Sequence, residues 1–200
     1  ADCKDMRSGP DFTSLEVGGV RARALTAASH ILATRGPEKL SLRAIAESAG
    51  IGTTSIYHYF ANKDELLLNL ALMGFRDLHR QIVKFQTSPE YDNAMQASAR
   101  AFFDFAETHP ALFSLMFSER LMARHVSLRD AEYETFLAYQ AVVEADERMP
   151  AGQRPNVAYA LWALGRGIAA IMSSYPDGKL PPEIAERLFA GASYLINRRE

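Results

Sequence analysis

Apolar residues recur every three to four positions along this chain of 200 residues, and almost nowhere at every second one. That spacing belongs to helices buried along one side rather than to strands. Val20, Ala24, Ala27, Ala28, Ile31 and Leu32 form one stripe and predict a helix over 20–34. Gly36 is placed to end it in a left-handed cap, with Pro37 behind it. Ser41 is a cap for a second helix carrying Leu42, Ile45 and Ala46, which Gly50 stops. Asn62 and Glu65 have the spacing of a capping box, so a long helix is expected from Lys63 to about Phe85. Ser88-Pro89-Glu90 reads as the next start, with proline at the first helical position. That helix runs through Phe102 and Phe105 to His109-Pro110. Further helices are expected over 110–122, 128–148, 156–175 and 182–198, with the break "PDGKLPP" at 176–182. The chain reads as all-α, with about nine helices. Its expected parts are a disordered leader over 1–16, a helix-turn-helix unit over 17–62, a connecting helix over 63–85, and a larger helical domain over 86–200.

One stretch breaks the amphipathic monotony: "AGIGTTSIYHYFANKDEL", residues 49–66. Two short helices crossing steeply need a small residue where they meet, and Ala46 supplies it. The tight turn between them needs positive φ, and Gly50 tolerates it. Ile45, Ile51 and Ile56 can then seal a small core, with Tyr59 and Phe60 also expected inside. The second helix of such a unit enters the major groove by its N-terminal end. Here that end is Gly52-Thr53-Thr54-Ser55, whose hydroxyls and methyls suit base edges and thymine methyls. Tyr57 and His58 can reach phosphates. Lys63 sits at the start of the next helix, where free amides and a positive charge both favour an anion. With Ser41 and Arg43 on the preceding helix, the candidate DNA-binding set is Ser41, Arg43, Gly52, Thr53, Thr54, Ser55, Tyr57, His58 and Lys63.

The segment "SLRAIAESAGIGTTSIYHYFANKDELL" over 41–67 resembles the DNA-binding helix-turn-helix of TetR-family transcriptional regulators. "ALTAASHILATRG" resembles that family's first helix. Further on, "HPALFSLMF" and "WALGRG" resemble a C-terminal subgroup, which usually has His-Gly four residues after the tryptophan where this chain has Arg166-Gly167. The resemblance implies a homodimer bound to a palindromic double-stranded DNA operator, usually as a repressor, released when a small molecule occupies the C-terminal domain.

Charge is consistent with this division. Val17 to Lys63 holds six basic residues against two acidic, whereas Gln86 to Glu200 holds 11 basic against 15 acidic. A basic module on an acidic body suits a polyanion partner. The single cysteine, Cys3, allows no disulfide within one chain and fits a reducing compartment. No stretch reads as a signal peptide or a membrane span, so a cytoplasmic protein is expected.

No enzyme is expected, and no metal or cofactor. His30, His58, His79, His109 and His125 have no metal-ligand spacing. "GIGTTS" follows no strand, so it is not a phosphate loop. The alternative is a helical small-molecule carrier or a helical enzyme with no DNA-binding role, and neither accounts for residues 41–67.

Two further sites are expected in the larger domain. Phe102, Phe105, Met116, Phe117, Phe136, Tyr139, Trp162 and Arg166 are candidates for an effector pocket, because aromatic and Met side chains on several helices can line one apolar cavity. A guanidinium amid "WALGRGIAAI" needs an anion, either Asp104 or Glu107 or a ligand with an acidic or polar end. The effector is expected to be largely apolar. The last two helices are expected to build the dimer through Ala158, Gly165, Ala169, Ile184, Leu188, Gly191, Ala192 and Leu195, as a four-helix bundle between two chains.

Overall fold

The computed structural model describes residues 19–175 and 178–197, with side chains of the last helix up to Tyr194. The expected leader with Cys3, and the side chain of Leu195, lie outside the described residues. Among the described residues every regular element is a helix. In order these are α1 Val20–Arg35, α2 Leu42–Ala49, α3 Thr53–Tyr59, α4 Lys63–Gln86, α5 Ala94–Thr108, α6 Pro110–Met116, α7 Glu119–Arg124, α8 Val126–Glu144, α9 Arg154–Ser173 and α10 Pro182–Asn197. Short 3₁₀ turns occupy Pro37–Lys39 and Ala151–Gln153.

The all-α expectation holds, with two local differences. The segment expected as one helix over 110–122 is two, because Ser118 turns to extended backbone (φ −61°, ψ 119°) and begins α7. Phe117, at the break, packs on Phe75 with centroids 5.2 Å apart and on Phe113 at 4.7 Å. The second difference is the start of α5. Ser88-Pro89-Glu90 folds instead as a turn, in which the Tyr91 amide donates to the Ser88 carbonyl over 3.4 Å. The Asn93 side chain is the actual cap, accepting from the amides of Met95 (2.9 Å) and Gln96 (3.1 Å).

The chain forms two compact units. The first is drawn from the residues up to Gln81 and from Thr108–Thr135, the second from Ile82–Glu107 and the residues from Phe136 onward. In the first, α1, α2 and α3 pack around Leu25, Ile31, Leu40, Ile45, Ile56 and Phe60, all buried. Two glycines shape it. Gly50 adopts the left-handed conformation (φ 61°, ψ 40°). The amide of Ile51 then donates to the Ala46 carbonyl over 2.9 Å and that of Gly50 to Glu47 over 3.2 Å, a Schellman closure of α2. Gly36 also has positive φ, but at φ 79° and ψ 170° it is extended rather than left-handed helical, so the cap expected there differs in form. Further along, Gly74 lets α4 lie close to α6, since a Cβ there would stand 2.5 Å from the Met116 sulfur.

The second unit has its own core of Phe136, Tyr139, Val143, Met149 and Ala158, with Met95, Leu161 and Trp162 packed against it. Gln86, at the end of α4, donates to the Ser98 hydroxyl on α5 (2.9 Å) and to the Ala138 carbonyl on α8 (3.1 Å). Arg154, opening α9, donates to the carbonyls of Met149 (3.0 Å) and Glu144 (2.9 Å), closing the loop after α8.

Candidate nucleic-acid interface and ligand cavity

The candidate DNA-binding residues cluster on the first unit around the α2–α3 turn. Ser41 caps α2, its hydroxyl accepting from the Ala44 amide over 3.1 Å, so that oxygen is committed to the helix. Arg43 projects from the first turn of α2 and is exposed. Gly52 precedes α3 in extended backbone (φ −60°, ψ 138°) with no side-chain cap, which leaves the first amides of α3 unengaged by a side chain. Thr53 and Thr54 stand exposed on that first turn, while Ser55 is half-buried. Ile56 is fully buried and fastens α3 to the core.

Tyr57 is 54% exposed and His58 is exposed beside it. Tyr59, expected in the core, is also 44% exposed. Only every third or fourth residue of a seven-residue helix can face inward; Ile56 takes that place in α3, and Phe60, just after the helix, is buried beside the same core. Tyr59 therefore joins the exposed aromatic end, a surface group that the hydropathy pattern did not single out.

The start of α4 is capped from both directions. The Asn62 side chain accepts from the Glu65 amide over 2.9 Å. The Glu65 carboxylate reaches back to the amide of Ala61 over 2.7 Å, one residue earlier than the cap itself. Lys63 is exposed and its ammonium donates to the Pro37 carbonyl over 2.9 Å. Next to it, Asp64 receives Arg120 at 2.9 Å, Arg124 at 3.0 Å and His125 at 3.6 Å. Partial burial opposes its ionisation. The two guanidiniums and the imidazole outweigh that and hold the carboxyl below its ordinary range. Sequence reasoning missed this cluster, whose only trace was arginines four residues apart at 120 and 124 on a short helix.

The second unit contains a cavity of about 330 Å³. Of the expected pocket residues, Phe102, Tyr139 and Trp162 line it. Phe105 and Phe136 are buried in side-chain packing, and Met116 and Phe117 belong to the first unit. Arg166 is half-buried on α9 but is not among the cavity walls; the guanidinium that does line it is Arg148. Helical spacing gave the apolar faces correctly but not which facing groups leave a void between them.

The expected dimer set divides similarly. Ala158 and Ala169 are both 0% exposed, packed inside their own chain, and so are unavailable to a partner. Gly165 lies against the Phe102 ring and, with Ala192, borders the cavity. Ile184 and Leu188 are half-buried and Gly191 is exposed. What α9 does present is a row four residues apart, Tyr159, Ala163, Gly167 and Ile171, all exposed; α10 adds Ala190 and Tyr194.

Among the described residues no group of three or more His, Cys, Asp or Glu could hold a metal ion. No described helix is long and apolar enough to cross a membrane.

A glycine-turned pair of short helices with an exposed polar end, in a chain whose second helical unit encloses a mostly apolar cavity, defines the class as a helix-turn-helix protein. Residues 24–70 match the family described as bacterial regulatory proteins, tetR family, and residues 95–191 match the tetracyclin repressor-like C-terminal domain. The chain belongs to the TetR family. The HTH-type transcriptional repressor KstR2 of Mycobacterium tuberculosis is 35% identical over 105 residues, covering 50% of this chain and 51% of KstR2. The HTH-type transcriptional regulator Rv1816 of the same species is 28% identical over 126 residues, covering 62% of this chain and 53% of Rv1816. The chain thus spans about half the length of the curated relatives it matches. The fold is shared with PfmR, a TetR family transcriptional regulator from Thermus thermophilus, at a TM-score of 0.60 and 17% identity over 91% of this chain and 98% of that one.

Proposed function

We propose that this protein is a cytoplasmic, DNA-binding transcriptional regulator that acts as a ligand-responsive repressor, binding a palindromic operator as a homodimer. The observation that carries the reading is the α2–α3 pair, with Gly50 in the left-handed conformation and Thr53 and Thr54 exposed on the leading turn of α3. A turn of that form aims the N-terminal end of the second helix outward, which is how a recognition helix meets base edges. The surrounding Arg43, Tyr57, His58, Tyr59 and Lys63 have the character of phosphate-positioning groups. Thr53 and Thr54 are the base-reading candidates.

A second copy is needed to read a palindrome. The exposed row on α9, with the exposed Tyr194 on α10, supplies mostly apolar side chains that a second copy could cover. Release follows if a ligand in the second unit binds a non-DNA-binding form of the dimer better than the DNA-binding form.

The test is selection of operators from random double-stranded DNA with the full chain, followed by gel-shift titration. The expected product is a two-fold symmetric consensus with half-sites about one helical turn apart or a multiple of it. Recovery of DNA with no sequence enrichment would defeat the reading, and stoichiometric ligand without any DNA affinity would favour a carrier.

A further inference from the structure

The walls of the cavity carry a chemical signature more specific than apolarity. Phe102 meets Trp162 edge-on at 5.4 Å, and Phe103 meets Phe189 edge-on at 5.2 Å. Phe102 and Phe103 are themselves in edge contact at 5.6 Å. Through these edge contacts the four rings form a continuous aromatic wall that can receive a flat partner by stacking or edge contact.

Among the polar side chains at this wall is a hydroxyl that no described residue engages. Tyr139 is 8% exposed and lines the cavity, and its hydroxyl makes no hydrogen bond to any described residue. An acceptor that enters the cavity can take a hydrogen bond from this hydroxyl without displacing any described residue. Burial pushes this hydroxyl above its ordinary range, so it stays protonated and offers a donor. The Ser98 hydroxyl, also at the wall, is already engaged: it donates to the Ala94 carbonyl and receives Gln86. Asn93 is occupied as the cap of α5.

The charge at the cavity is balanced before any ligand arrives. Arg148 is the charged side chain among the lining residues. Its Nε donates to both oxygens of Asp146, at 2.8 and 3.1 Å, and its Nη2 donates to one of them at 2.5 Å. A ligand carboxylate would compete with Asp146 for that guanidinium, and an ammonium would find no carboxylate among the lining residues. Either would leave a charge poorly compensated in an apolar site.

We propose that this cavity takes an uncharged, largely aromatic molecule carrying a single hydrogen-bond acceptor such as a carbonyl, and that the Tyr139 hydroxyl donates to that acceptor. This replaces the acidic end expected from Arg166, which does not line the site. It rests on the regulator reading only for its consequence, release of the operator, and not for its chemistry.

The chain has one tryptophan, and Trp162 lines the cavity, so its emission reports occupancy. Four probes of one scaffold separate the possibilities: 4-acetylbiphenyl, 4-ethylbiphenyl, biphenyl-4-carboxylate and the ammonium of 4-(aminomethyl)biphenyl. Each is titrated into the 200-residue chain and its Tyr139→Phe variant, with Trp162 emission and calorimetry as readouts. The ketone is expected to bind most tightly and to lose about fivefold in affinity in Tyr139→Phe, while the ethyl compound is unaffected by the substitution. Tighter binding of the carboxylate or the ammonium, an unchanged ketone affinity in Tyr139→Phe, or no saturable ketone binding would each overturn the proposal. Operator binding is read in parallel by gel shift without probe. Failure there removes the regulator reading and leaves the ligand result standing.

Discussion

The Lys63 ammonium donates to the Pro37 carbonyl over 2.9 Å, which ties the first turn of α4 to the turn that follows α1. The residue proposed to meet a phosphate is thereby also held in place by the backbone of the same unit. Such an exposed ammonium has further donors to offer DNA. Lys63→Ala should weaken binding to every sequence alike and lower the slope of log affinity against log salt by about one. Titrations at several salt concentrations, on operator and on random DNA, check this; a loss confined to the operator would contradict it.

Thr53→Ala and Thr54→Ala are expected to act differently. Both side chains are exposed on the leading turn of α3, away from the core. Their loss should change which base pairs are preferred, at about 1–3 kcal/mol for the affected position, with little change in melting temperature. Repeating the operator selection with each variant measures it. A uniform loss of affinity with unchanged preference would make them positioning residues.

At Gly50 the cost of a side chain is purely one of backbone conformation, since an added Cβ would meet nothing within 4 Å. Gly50→Ala should therefore destabilise the protein by about 1–2 kcal/mol. Gly50→Asn should cost less, because asparagine tolerates the left-handed region. Urea melts of the three proteins decide between this and a steric explanation, under which the larger Asn would be the worse substitution.

Asp64 gives a pH prediction. Its carboxyl is held below the ordinary range, so the ionised form is favoured by folding. The stability it contributes is fully present above about pH 4, the unfolded-state value, and is lost as pH falls through the lower folded-state value. Asp64→Asn should cost about 1 kcal/mol at neutral pH, and the gap to the unsubstituted protein should close progressively below about pH 4. Melting curves from neutral pH down through that range measure the gap; a constant difference throughout would mean the ion pairs contribute nothing.

For the dimer, Ile171→Glu combined with Tyr194→Glu should yield monomers in sedimentation velocity without unfolding the chain, because both side chains are exposed in the single chain, Tyr194 by 65%. A double variant that remained dimeric would place the interface elsewhere.

The α2–α3 unit was legible because its instructions are local. Ser41, Gly50 and the Asn62–Glu65 pair each determine backbone geometry within a few residues, and the structure uses all of them. Where two local signals competed, sequence alone chose poorly: Pro89 suggested a start for α5, but the Asn93 side chain satisfied two amides and set it later. The cavity was harder still. Phe102 and Phe105 share a helix face by spacing, yet only Phe102 borders the void. That difference depends on what stands across from each ring, which no single helix encodes. Small residues misled in the same way, since Ala158 and Ala169 look ready for a partner helix but are buried within their own chain.

The two arginines that meet Asp64 sit four residues apart on α7, one above the other along a single helical turn. They grip the same carboxylate from neighbouring positions, so a slide or rotation of α7 large enough to free one would carry the other with it. The carboxylate keeps a partner when either side chain swings into solvent, so the link between α7 and the first turn of α4 outlasts the loss of any one contact.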